Sequence, residues 1–97
     1  MTNSKKITLD CTNPAEIKLQ FPEDFSPEQI DRLCDEIKPL IWEAIDNDSD
    51  AYPSMNSLDK FIRVNKTGLV SAEKYHQFGL IILSVLFTNG FTYEVLS

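Results

Sequence analysis

Histidine, cysteine and glycine are scarce in this chain: one His (His76), two Cys (Cys11 and Cys34) and three Gly in 97 residues. Each scarcity removes a class of chemistry. No His and Cys stand at metal-ligand spacing, so a zinc site is not expected. No glycine-rich loop is present to cradle a phosphate, and no nucleophile elbow. Two cysteines make no disulfide framework. Cys11 falls in a strand-like segment and Cys34 on the apolar face of a helix, and both read as reduced core thiols. His76 lies beside Tyr75 in an amphipathic first helical turn and reads as a surface or boundary residue. Carboxylates are plentiful, but nothing marks a pair as buried, and burial is what tunes a carboxyl for general acid–base work. The expectation is a protein without catalysis, cofactor, metal or small-molecule substrate.

Long hydrophobic runs are also missing. The longest, Phe78 to Phe87, is about half a membrane span. The start, Met1 to Lys6, has no apolar stretch behind it of the kind a signal peptide carries. A cytoplasmic protein with no membrane partner is expected. The length suits one compact domain, residues 1–97.

What is present is patterned. Lys6 to Cys11 and Glu16 to Phe21 alternate polar and apolar residues, the period of strands with one buried face. Thr12-Asn13-Pro14 between them is turn chemistry, so a hairpin is expected. Ser26, Pro27 and Gln29 form a helix start, with a capping box and with Phe25 and Ile30 as a hydrophobic staple. Apolar residues at Ile30, Leu33, Cys34, Ile37, Leu40, Ile41, Ala44 and Ile45 then make one helical stripe. The spacing predicts a helix from about Pro27 to Ile45, kinked at Pro39.

Asp46 to Ser57 reads as a polar loop. Leu58 to Val64 suits either a strand or a short helix, with the strand preferred. Asn65 to Gly68 turns the chain. Ser71 caps a second helix that is apolar on nearly every side from Phe78 to Phe87, the pattern of a helix packed on more than one side. Asn89-Gly90 stops it, and Phe91 to Leu96 alternates as a last strand. The fold class expected is α+β: a small, mostly antiparallel sheet of three to four strands with two helices on one face, in the order β-β-α-(β)-α-β.

Charge is unevenly distributed. Glu23 to Asp50 holds ten acids against Arg32 and Lys38, a net of −8, whereas the whole chain carries −6. Such acidity disfavours direct nucleic-acid binding and favours a basic partner. On a helical projection Glu28, Asp35 and Asp46 point opposite the apolar stripe, with Asp31 and Glu43 flanking them. Neighbouring carboxylates three or four residues apart lie about 5–6 Å from each other, similar in scale to adjacent phosphates. Asp48 and Asp50 extend the line. The acids at the helix C-terminus oppose the helix dipole. Asp46 to Asp50 also resembles the start of a calcium loop, but Ala51 stands where the tight turn needs glycine and Ser57 where a bidentate glutamate is needed. Trp42 falls on the polar side, where two readings stand: an exposed binding anchor, or a ring packed on the loop near Tyr52 and Pro53. For the acidic face as a whole the plain alternative is a solubilising surface.

In length, acidity and absence of a catalytic motif, carried by the acids from Glu28 to Asp50, the chain resembles the small phage-encoded anti-CRISPR proteins. Some of these imitate DNA and block a crRNA-guided surveillance complex. The resemblance covers a charge profile and a length. It implies a binding inhibitor whose target is a basic DNA-binding groove, with Glu28, Asp31, Asp35, Trp42, Glu43, Asp46, Asp48 and Asp50 as contact residues and no cofactor. A basic patch of Lys60, Arg63, Lys66 and Lys74 departs from a uniformly acidic mimic. An immunity protein or antitoxin acting through the same acidic face is the other reading.

Overall fold

The computed structural model describes residues 6–45, 53–58 and 60–96. Its order is β1 (Ile7–Asp10), β2 (Glu16–Gln20), α1 (Pro27–Glu43), β3 (Met55–Leu58), β4 (Phe61–Asn65), α2 (Ala72–Thr88) and β5 (Tyr93–Leu96). The five strands form one sheet in the spatial order β3-β4-β2-β1-β5. Three pairings are antiparallel, and β1 pairs with β5 in parallel. The sheet is therefore mixed and larger than the three to four strands expected.

Topologically the chain is two hairpin-plus-helix units followed by one strand. β1–β2 is followed by α1 and β3–β4 by α2, each helix 17 residues long. The two hairpins join through β2 and β4, with Ile17 opposite Val64 and Leu19 opposite Ile62. Each helix then carries the chain between strands that run the same way, which a tight turn cannot do.

The inner face of the sheet is built from the alternating residues Ile7 and Leu9, Ile17 and Leu19, Ile62 and Val64, with Met55 at the edge, all buried. Both helices feed the same core, α1 through Ile30, Leu33, Cys34, Ile37 and Ile41, and α2 through Tyr75, Phe78, Ile82, Val85 and Leu86. Both therefore cover one face of the sheet. The other face carries Lys18, Phe61 and Arg63 in its middle. Lys18 Nζ lies 4.4 Å from the Phe61 ring centroid, and Arg63 Nε sits 3.0 Å from Glu16 Oε1. That last contact is close enough for an ion pair but is not aimed as a hydrogen bond.

The helix ends follow the sequence signals. Ser26 Oγ accepts from the Gln29 backbone N–H at 3.2 Å, and the Ser26 N–H donates back to Gln29 Oε1 at 2.9 Å. Phe25 and Ile30 are both buried, as a staple requires. Pro39 stands inside α1, which stays one helix across it. Proline removes the donor that would reach the Asp35 carbonyl, and both residues are exposed, so water can satisfy that oxygen. α2 closes on Gly90 at φ +77. Gly90 N–H donates to the Phe87 carbonyl and Phe91 N–H to that of Leu86, both at 3.0 Å, a Schellman motif.

The strand preferred for Leu58 to Val64 is found: Phe61 to Val64 lie in β4, and Leu58 is the last residue of β3. Two expectations need correction. Met55 to Ser57, expected as part of a polar loop, belong to an edge strand held by β4. Finally, α2 is not packed all round: Leu80 and Phe87 are 55% and 75% exposed. One side of a single sheet offers α2 one buried stripe, and these two residues fall outside it.

Candidate functional site

The outer face of α1 is fixed by its inner one. With Ile30, Ile37 and Ile41 locked in the core, the helical repeat turns Glu28, Asp31, Asp35 and Glu43 outward, and all four are exposed. Among the described residues none of these four makes an ion pair with a lysine or arginine of the chain. No basic residue stands in the last turn of α1, so Glu43 is left against the negative end of the helix dipole.

The row is neither continuous nor purely acidic. Glu28, Asp31 and Asp35 rise along the axis in steps of roughly 4.5 and 6 Å. Glu43 follows only after roughly 12 Å, with Pro39 and Trp42 on the surface between. Arg32 is exposed on the same face, between Glu28 and Asp35. Its place on that face follows from the same helical repeat that turns the acids outward. Glu36, outside the expected set, is also exposed, and its Oε2 accepts from Asn89 Nδ2 at 3.3 Å, tying α1 to the end of α2.

Asp31 has an internal partner: the Ser57 hydroxyl on β3 donates to its Oδ1. Trp42 is 36% exposed, and Lys38 Nζ stands 5.9 Å from its ring centroid. A cation at that range is attracted by the ring face. Asp46, Asp48 and Asp50, together with the suspected calcium-loop start and Tyr52, lie outside the described residues.

The basic cluster read from the sequence is dispersed. Lys60 and Lys66 flank opposite ends of β4, roughly 20 Å apart by strand rise. Lys60 Nζ donates to the Glu23 carbonyl at 3.4 Å and Lys66 Nζ to that of Asn13 at 3.3 Å. Arg63 sits on the outer sheet face beside Glu16. Lys74 belongs to the first turn of α2. Adjacency in sequence did not become adjacency in space because a strand spreads its residues along its length.

Both thiols are held above their ordinary pKa by burial. For Cys11 the Lys66 ammonium partly offsets this, and for Cys34 Lys38 does so. His76 is exposed on α2. Among the described residues no group of three or more His, Cys, Asp or Glu is placed to hold a metal ion. No described helix is long and apolar enough to cross a membrane.

A second feature was not legible in the sequence. Where the β1–β2 turn, the end of β4 and the first half of α2 meet, a cleft of about 670 Å³ opens, floored by Leu9 and Ile17. Its walls come from separate stretches of chain, which periodicity within one element cannot bring together.

No family model, curated protein or solved structure matches this chain.

Proposed function

We propose that this chain is a non-enzymatic binding inhibitor that lays the outer face of α1 into a basic groove of a nucleic-acid-handling protein complex. A crRNA-guided surveillance complex is the partner class that the anti-CRISPR resemblance implies. The observation that carries the reading is the set of outward carboxylates on α1, Glu28, Asp35 and Glu43, none neutralised by a described cation of the chain. Unpaired surface charge of one sign raises encounter rates with an opposite surface and is screened by salt. Trp42, in the gap of the row, supplies a half-exposed ring of the kind that anchors interfaces.

Immobilised full-length chain, offered a bacterial lysate, should retain a Lys/Arg-rich protein or nucleoprotein. That partner should elute with salt and with excess duplex DNA. Charge reversal at Asp35, Glu43 and Asp46 should abolish retention and leave the circular dichroism spectrum unchanged. Retention that survives both high salt and excess DNA would remove the DNA-like reading.

One observation favours a second reading. Arg32 interrupts the acidic row, and a surface that only imitated a phosphate strand would gain nothing from a cation there. An immunity protein or antitoxin fitted to one toxic enzyme uses such alternation for specificity. It predicts a single retained partner, not displaced by DNA, and a loss of binding on Arg32→Glu as large as on Asp35→Lys.

A further inference from the structure

The cleft beside α2 shares no described residue with the acidic face, and its chemistry is the reverse. Leu9, Ile17, Val70, Leu83 and Val95 supply an apolar lining. Among the described residues no carboxylate lines it, in a chain of net charge −6. Lys66 stands at its wall, and no described carboxylate pairs with the ammonium. Its position is nevertheless fixed. The Lys66 N–H donates to the Ala15 carbonyl at 2.9 Å, Nζ donates to the Asn13 carbonyl, and Nζ lies 5.7 Å from the Tyr75 ring centroid. Tyr75 is itself held, because its hydroxyl accepts from the Thr67 N–H and donates to the Thr67 carbonyl at 3.4 Å. A fixed cation at the wall of an apolar recess is a recognition element for one chemical class.

The helix wall supports the same conclusion. Gly79 lies inside α2 on the cleft wall. A β-carbon there would meet nothing closer than 3.9 Å, so packing does not demand glycine. A mid-helix glycine costs about 1 kcal/mol relative to alanine. What its missing side chain provides is open volume. The recess falls within the usual range of small-molecule sites, about 300–1,000 Å³.

We infer that this cleft binds a small amphipathic carboxylate, a medium-chain alkyl or comparable apolar acid, with its tail over Leu9 and Ile17 and its head group on Lys66. The site is independent of the partner surface on α1. Lys66 also acts on the Cys11 thiol inside the cleft, against the larger upward effect of burial, so its charge reaches the space a head group would occupy. Cys11 lines the cleft and Cys34 is buried. Alkylation of Cys11 therefore reports occupancy.

The experiment titrates octanoate, decanoate, dodecanoate and 1-decanol, each below its aggregation threshold, into the full-length chain by calorimetry. Affinity should rise by about fourfold per methylene, the factor set by burying one CH₂, until the recess is full. Decanoate should bind more tightly than decanol, and Lys66→Met should erase that difference. Gly79→Phe should weaken decanoate at least tenfold. Saturating decanoate should slow iodoacetamide labelling of Cys11 in the unmodified chain, a readout that needs no variant to fold. The inference is overturned if millimolar decanoate neither binds nor protects Cys11, or if decanol binds as well as decanoate. It is equally overturned if both substitutions leave affinity unchanged, or if the chain sediments as a dimer that dissociates on Leu80→Glu, which would assign the recess to a second copy.

Discussion

Gly79 on α2 and Cys11 after β1 face each other with room for a methyl group between them: a β-carbon on the glycine would stop 3.9 Å from the cysteine sulfur and 3.9 Å from Leu9 Cδ2. These are ordinary van der Waals separations. Gly79→Ala should therefore add helix propensity without a clash and stabilise the chain by about 0.5–1 kcal/mol. A thermal melt should show a higher midpoint. A lower one would mean that α2 packs more closely on β1 than this geometry allows.

The reciprocal bonds between Ser26 and Gln29 satisfy two backbone donors at the start of α1. Ser26→Ala removes one acceptor and should cost about 1 kcal/mol in urea unfolding. Ser26→Gly should cost only a few tenths of a kcal/mol, since glycine leaves the backbone open to water. A larger loss for Ser26→Gly than for Ser26→Ala would place the effect in backbone entropy and not in the cap.

Much of this fold was legible because local signals and burial agree. The box at Ser26, the stripe from Ile30 to Ile41 and the alternation in β1, β2 and β4 each specify an element and its buried face together. β3 failed that test. Met55-Asn56-Ser57-Leu58 is poor in strand formers, and it becomes a strand by pairing with β4 and lying under α1, with Ser57 bonded to Asp31. The parallel pairing of β5 was equally hidden, because a strand's direction depends on the helix before it. The outward acids of α1 were legible from the period alone. The cleft was not, since it is made where separate segments meet.

Asp10 closes the β1–β2 turn by accepting from Thr12 twice, from the hydroxyl at 2.6 Å and from the backbone N–H at 2.9 Å. The hydroxyl bond first, then the backbone bond, lowers the Asp10 pKa below its ordinary value, against a small opposing effect of burial and with help from Lys18. A carboxyl depressed by folding binds its proton more readily when unfolded. Its contribution is thus full above the unfolded pKa and disappears as pH falls through the folded one. Asp10→Asn keeps an acceptor but removes the proton linkage. The variant should show a shallower decline of stability in the acid range than the unmodified chain, measured by urea midpoints from neutral pH downward. Parallel curves would mean that the turn carries none of the acid sensitivity.

Glu43 separates stability from binding because the two respond to its charge in opposite ways. It is exposed in the last turn of α1, where the dipole disfavours an anion and no cation stands. Glu43→Lys should therefore raise stability by a few tenths of a kcal/mol up to about 1 at low salt, with the gain shrinking as salt is added. The same change places a positive charge on the surface assigned to a basic partner, so retention of that partner should fall at least tenfold. Glu43→Gln removes the unfavourable charge without adding a repulsive one and should lie between the two on both measurements. A chain that becomes more stable and binds no worse would show that Glu43 lies outside the interface. A chain that loses stability on Glu43→Lys would show that the carboxylate is held by a partner within the fold, and would remove the reason for reading this end of α1 as a surface kept for binding.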